Sequence, residues 1–178
     1  MRGKIMLMLM LLAVLAGCGG GPKADVPMFM MGSNGIPAEV GDKLQAALQT
    51  KVGTAPTVSI VTTPIFSMEK LIVEIAAGEN GIIVVPTEQF KQIGQQGGYV
   101  SLDNVAKQED FPDGVLELPV DTKDGAAKKE KHLYGIPLEQ SKWFTELKLN
   151  GKDLVAFVPA NAKNQDKVMQ VMKIIAQK

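Results

Sequence analysis

From residue 26 onward, apolar and polar positions switch between two rhythms, and each rhythm predicts an element. "VPMFMM", residues 26–31, is a short apolar run that stops at Gly32, Ser33, Asn34 and Gly35. It reads as a buried strand followed by a loop. Pro37 suits the first position of a helix, and Val40, Leu44, Leu48 and Val52 recur at fourfold spacing on one helical face, which Gly53 ends. "TVSIVTT", residues 57–63, is β-branched and compact, as strands are, and Pro64 closes it. Ser67 can cap a second helix with the apolar stripe Leu71, Ile72, Ile75 and Ala76, stopped by Gly78 in the usual glycine C-terminal position. "GIIVVP", residues 81–86, is continuously apolar, as expected of a parallel strand covered on both faces. Thr87 can cap a short helix that carries Phe90 and Ile93 and ends at Gly97 and Gly98.

Strand and helix therefore alternate three times, which predicts an α/β domain with a mainly parallel sheet and helices on both faces. Residues 103–131 break the rhythm. They are polar, contain Pro112 and Pro119, and include the charged run Lys128, Lys129, Glu130 and Lys131, so they read as a surface excursion. Order returns with "LYGIPL", residues 133–138, as a strand. Asn150 and Gly151 stand between two apolar-containing arms, a signal for a β-hairpin. Asn164 can cap a closing helix on which Val168, Val171, Met172 and Ile175 share a face.

The N-terminal residues follow a different logic. Arg2 and Lys4 precede a nearly unbroken apolar stretch at residues 5–15, and the small residues Ala16 and Gly17 follow. That is the layout of a secretory signal, and the stretch is shorter than the about 20 residues a membrane-spanning helix needs. Leu15-Ala16-Gly17-Cys18 resembles the lipobox of bacterial lipoproteins. The resemblance implies a diacylglyceryl group on the Cys18 sulfur, cleavage of residues 1–17, and an N-acyl chain as a further modification of the new terminus. It also implies a lipid-anchored protein on the extracytoplasmic face of the cell membrane. Residues 18–25 then read as the lipidated cysteine and a flexible tether, and residues 26–178 as one domain.

Composition narrows the function classes. Without residues 1–17 the chain keeps about 161 residues, with 17 basic against 19 acidic side chains and a net charge of about −2. This balance points to no nucleic acid partner. Cys18 is the one cysteine of the chain, so no disulfide can support the domain. His132 is the one histidine and sits beside the lysine run, which reads as an exposed side chain rather than a metal ligand. A Gly-x-Ser-x-Gly elbow and a phosphate-binding loop are both missing from the sequence, and Glu109 with Asp110 reads as surface charge. We expect no catalytic residues, no metal and no cofactor beyond the acyl groups.

The order of the pieces matches a family. "KLIVEIAAGENGIIVVPTEQFKQIGQQGGYVSLD", residues 70–103, resembles extracellular solute-binding proteins of ABC importers, particularly the sugar-binding type. "HLYGIPL", residues 132–138, is similar to the family's strand leading towards the hinge, and "VAFVPANAKNQDKVMQVMKIIAQ" to its closing strand, turn and helix. Position 80 is Asn, where many relatives have Asp. The segment that would build a second lobe is missing, so the resemblance implies a single lobe. Open α/β sheets bind ligands at the carboxyl ends of their strands, which makes Ser33, Asn34, Thr62, Thr63, Thr87 and Glu88 the candidate ligand-binding residues, with Trp143 as a platform for a sugar ring. Ordinary capping, turn chemistry and packing would account for the same residues. Two functions follow as expectations: weak or partner-assisted binding of a small polar solute beside an ABC permease or another membrane protein, or an interaction module tethered beside a membrane complex.

Overall fold

The computed structural model of the chain describes residues 23–120 and 128–178. The signal segment, Cys18 and residues 19–22 of the expected tether lie outside the described residues. Within them, β1 (Val26–Met30), β2 (Val58–Thr62), β3 (Ile82–Pro86), β6 (Gly135–Pro137) and β7 (Leu154–Phe157) share one sheet in the order β2-β1-β3-β7-β6. β1 pairs in parallel with β2 and β3, while β7 runs antiparallel to both β3 and β6. The sheet is thus parallel at one end and mixed overall, rather than mainly parallel, because β7 enters it antiparallel between β3 and β6.

Side-chain alternation explains why both faces need cover. On β1 and β3, Met28, Met30, Ile82 and Val84 point to one face, and Phe29, Ile83 and Val85 to the other, all fully buried. The first face packs beneath Leu44 and Leu48 of α1 (Ala38–Val52) and Val168, Val171, Met172 and Ile175 of α5 (Gln165–Ile175). The second packs beneath Leu71 of α2 (Met68–Ala77) and Phe90 of α3 (Thr87–Gly94). Connection handedness dictates this split. From β1 the chain steps outward to β2, then returns past β1 to β3, so two right-handed crossovers must place α1 and α2 on opposite faces. The outer edge of β2 is closed as well: the amides of Val58 and Ile60 donate to the side-chain oxygens of Gln49 and Gln45 on α1, at 2.8 and 2.7 Å. Capping those amides removes a template for further strand pairing.

Several expectations need correction. Asn150 and Gly151 do not turn a hairpin. The arm before them coils into α4 (Lys142–Thr145), because Trp143 and Phe144, 0% and 3% exposed, are drawn together into the core beneath α1. The antiparallel pair in this region is β6 with β7. Gly151 instead permits close approach, since a Cβ there would lie 2.4 Å from the Leu138 carbonyl oxygen. On α2 the stripe is rotated: Met68, Leu71 and Ile75 face the core, while Ile72 and Val73 are 56% and 64% exposed. Ser67 does cap α2, its hydroxyl accepting from the Lys70 amide, and Gly78 ends it in the left-handed region at φ 60°. Pro86, rather than Thr87, occupies the cap of α3, which ends at Gly94. Asn164 precedes α5 but turns its side chain to the Asp25 carbonyl.

The polar excursion holds more structure than its composition suggests. β4 (Val115–Val120) and β5 (Lys128–Leu133) form an antiparallel ribbon, and the charged run lies in β5. The last tether residues are also fixed. Lys23 pairs with Glu79 at 2.9 Å, and the Asp25 carboxylate accepts the Thr57 amide and hydroxyl and pairs with Lys167. Lys167 and then Thr57 hold the Asp25 carboxyl down at about 2.

Candidate functional site

Parallel strands place all their carboxyl ends at one edge, and the loops of that edge form a cleft. β1 leads into a tight turn in which the Gly35 amide donates to the Gly32 carbonyl at 2.9 Å. Gly35 has φ 74°, and a Cβ there would fall 1.9 Å from the Pro64 carbonyl oxygen, so a side chain is excluded on both grounds. The Ile36 amide then donates to the Thr63 carbonyl at 2.7 Å, tying the turn to the end of β2. Across the edge, the Asn150 side chain accepts from the Lys152 amide at 2.9 Å, and Asp153 follows at φ 62°. The Asp153 carbonyl accepts from the Thr87 amide at 3.1 Å, and the Ser33 hydroxyl reaches the Asp153 carboxylate at 3.5 Å.

Between these two loops lies a cleft of about 330 Å³. Its rim is polar, with Ser33, Asn34, Asn150, Lys152 and Asp153, and its floor is apolar, with Ile36, Val40, Leu44, Phe144 and Leu149. It sits beside β1 and β3, where the chain's crossovers diverge to opposite faces. This is the topological switch point at which open α/β sheets hold their ligands. The rim carries hydroxyl, amide, ammonium and carboxylate groups, enough donors and acceptors to orient a small polar molecule above an apolar base. Among the described residues, no group of three or more His, Cys, Asp and Glu is placed to hold a metal ion.

The candidates read from sequence divide. Ser33 and Asn34 line the cleft and are exposed. Thr62 and Thr63 share the edge but turn to structure: the Thr62 methyl packs against Gly41 of α1, and the Thr63 hydroxyl donates to the Ile65 carbonyl at 2.7 Å. Thr87 contributes its amide to the Asp153 loop, and Glu88 projects from the first turn of α3. Trp143 is a correction. It is 0% exposed, its indole N–H donates to the Leu44 carbonyl at 2.9 Å, and no ring face is free for a sugar. Asn150, Lys152 and Asp153 were not among the candidates. The polar run signalled a turn, but only the coiling of α4 carries that turn over the end of β1, 120 residues away in sequence at Ser33 and Asp153.

His132 is held rather than simply exposed. Its Nδ1 lies 2.5 Å from Asp103 Oδ2 and its Nε2 3.1 Å from Glu130 Oε2. The hydrogen bond to Asp103, then that to Glu130, raises the imidazole pKa above 6.5. Burial pushes the Asp103 carboxyl up, but the Leu133 amide, His132 and Gln108 together outweigh it and leave it lowered. A raised histidine stabilises the fold fully below its unfolded pKa, and the contribution fades as pH climbs through the raised value. The melting temperature is therefore expected to decline as pH rises above 6.5, with faster amide exchange in the β4–β5 ribbon. His132→Asn should flatten that decline. A melting temperature in the parent that does not change above pH 6.5 would show that the contact contributes nothing.

With the geometry in place, comparison with known proteins adds one relative. The chain is similar to a protein of Bacillus subtilis (strain 168) named "Putative lipoprotein YteS", with 26% identity over 137 residues that cover 72% of this chain and 75% of that protein. No family model and no solved structure matches the chain. Among the described residues, no helix is long and apolar enough to cross a membrane.

Proposed function

We propose that this chain is a lipoprotein held on the extracytoplasmic face of the cell membrane by a diacylglyceryl group on Cys18, and that its domain binds a small polar solute of the sugar class in the cleft between β1 and the Asn150–Asp153 loop. In this reading it acts as a single lobe of the solute-binding type, with a permease or another membrane protein supplying the missing wall. The observation that carries the solute reading is the polar-rimmed cleft at the switch point. The anchor is supported by the Leu15-Ala16-Gly17-Cys18 motif and by the name of the Bacillus relative. We assign no catalytic role.

One observation favours a second reading, an accessory module that contacts protein. Ile72 and Val73 are exposed beside a groove of about 400 Å³ between α2 and α3 that includes Met68, Ile75 and Ile93. An apolar surface of this kind suits a protein contact better than a sugar.

A single lobe sets a limit on affinity. A disaccharide of roughly 23 heavy atoms, at about 0.3 kcal/mol per atom, gains about 7 kcal/mol when fully enclosed. Contact over half its surface leaves about 3.5 kcal/mol, a Kd weaker than about 1 mM. Titration of the purified lipoprotein in detergent micelles with small sugars, followed by amide chemical shifts, reads constants in this range. Saturable shifts at Ser33, Asn34, Asn150 and Asp153 are expected, lost in Asp153→Ala. Shifts confined to other surfaces, or none with any small polar solute, would overturn solute binding here. A sub-micromolar Kd would overturn the need for a second wall.

A further inference from the structure

We infer that the domain stands on the bilayer with its cleft turned away from the membrane, open to solutes and soluble partners that arrive from outside. The inference rests on the Cys18 anchor proposed above, and its geometry comes from the direction of the sheet. β1 begins at Val26, and parallel β2 and β3 begin at the same edge. The incoming chain is fastened to that edge by three separate elements. The Asp25 carboxylate takes the Thr57 amide at 2.9 Å where β2 begins, and it pairs with Lys167 in the first turn of α5. Lys23 pairs with Glu79 just beyond the end of α2. The Lys23 pair is highly exposed and weak on its own, but the Asp25 contacts do not depend on it. The cleft opens at the opposite edge, past the last residue of β1.

Reach then decides orientation. The five residues of β1 separate the two edges by about 16 Å. To press the cleft against the bilayer, the tether would have to pass outside a helix layer about 10 Å thick and run the length of the strands and the loops at both ends. That path is on the order of 35 Å. From Cys18 to Asp25 there are seven peptide links, which fully extended span at most about 25 Å, and the Lys23 pair cuts this to about 17 Å. Relaxed as a coil, the five links from Cys18 to Lys23 span only about 12 Å. The domain can tilt, but it cannot invert. The cleft therefore meets soluble molecules directly, and it meets a membrane protein only where that protein projects well beyond the bilayer surface.

Two single-cysteine variants test this, because acylation leaves no other thiol in the mature chain. Thr54→Cys places a fluorophore in the exposed loop before β2, and Asn34→Cys places one on the cleft rim. The lipidated protein is reconstituted into phosphatidylcholine–phosphatidylglycerol vesicles that carry an acceptor lipid. Energy transfer is expected to be several-fold stronger from position 54 than from position 34. Inserting about 60 Gly and Ser residues after Gly21 should erase the difference, since a coil of about 65 residues spans about 44 Å and so reaches past the domain. Equal or stronger transfer from position 34 in the parent protein overturns the orientation. A difference that survives the insertion shows that the tether does not set it. Protein that fails to float with the vesicles removes the anchor itself, a separate result that takes the orientation with it.

Discussion

Cys18→Ala should abolish fatty-acid labelling of this protein completely. The chain has one thiol, and the thioether to diacylglycerol can form only there. Two acyl chains anchor stably where one gives only marginal, reversible binding, so the loss is all-or-none rather than a graded change in affinity. If the proposed anchor holds, a chain without the modification also lacks its cleavage point after residue 17, and the protein is expected either as a longer precursor or released from the membrane. Metabolic labelling with a fatty acid, together with the mass of the N-terminal peptide, separates these products. Label that persists on the Ala variant would sink the assignment. The substitution leaves the described contacts of the domain untouched, so solute titration of the released protein should give the same cleft shifts as the parent. That independence distinguishes the anchor from the site.

The parts of the fold that were legible from sequence are those whose pattern is local. Ile82–Pro86 form a fully buried strand because every side chain in the run is apolar, and no neighbouring element is needed to infer it. Leu44 and Leu48 lie one helical turn apart and both face the core. Gly53 and Gly78 mark helix ends through positive φ, a property of the residue itself. Sequence and structure part where packing outweighs local preference. Asn150 and Gly151 suit a two-residue turn, yet burying Trp143 and Phe144 demands a coil before them. Ile72 and Ile75 both fit an apolar stripe, yet only the side of α2 that meets Phe29 and Met31 is covered. The candidate site was half legible for a similar reason. Ser33 and Asn34 follow a strand directly, so the switch-point rule reaches them. Lys152 and Asp153 precede an antiparallel strand, whose start joins the carboxyl edge only because β7 reverses direction beside β3. A rule framed for parallel strands passes over them.

Trp143→Ala should lower the unfolding free energy by about 3–5 kcal/mol, the range for removing a buried aromatic ring. Trp143 is 0% exposed, meets Phe144 edge-to-face with ring centroids 5.0 Å apart, and donates its indole N–H to the Leu44 carbonyl at 2.9 Å. The Ala variant therefore leaves a cavity beneath α1 and removes a buried hydrogen bond at once. Against a typical total stability of about 5–15 kcal/mol, a change of that size exposes much of the population to unfolding on warming. Trp143→Phe separates the two contributions. It keeps most of the ring volume but loses the donor, and a loss of about 1–3 kcal/mol is expected from the unpaired carbonyl and the smaller ring. Urea denaturation of the three proteins reads the series. The same pair of variants also tests whether the Trp143 ring touches a sugar. Leu44 and Phe144, both touching Trp143, form part of the cleft floor, so the Ala variant should weaken solute shifts through loss of shape. The Phe variant, still folded and still packed, should leave the solute Kd within about twofold of the parent, because a shift of that size corresponds to only a few tenths of a kcal/mol. A Phe variant of near-parental stability whose sugar binding vanished would return Trp143 to the ligand and contradict its burial.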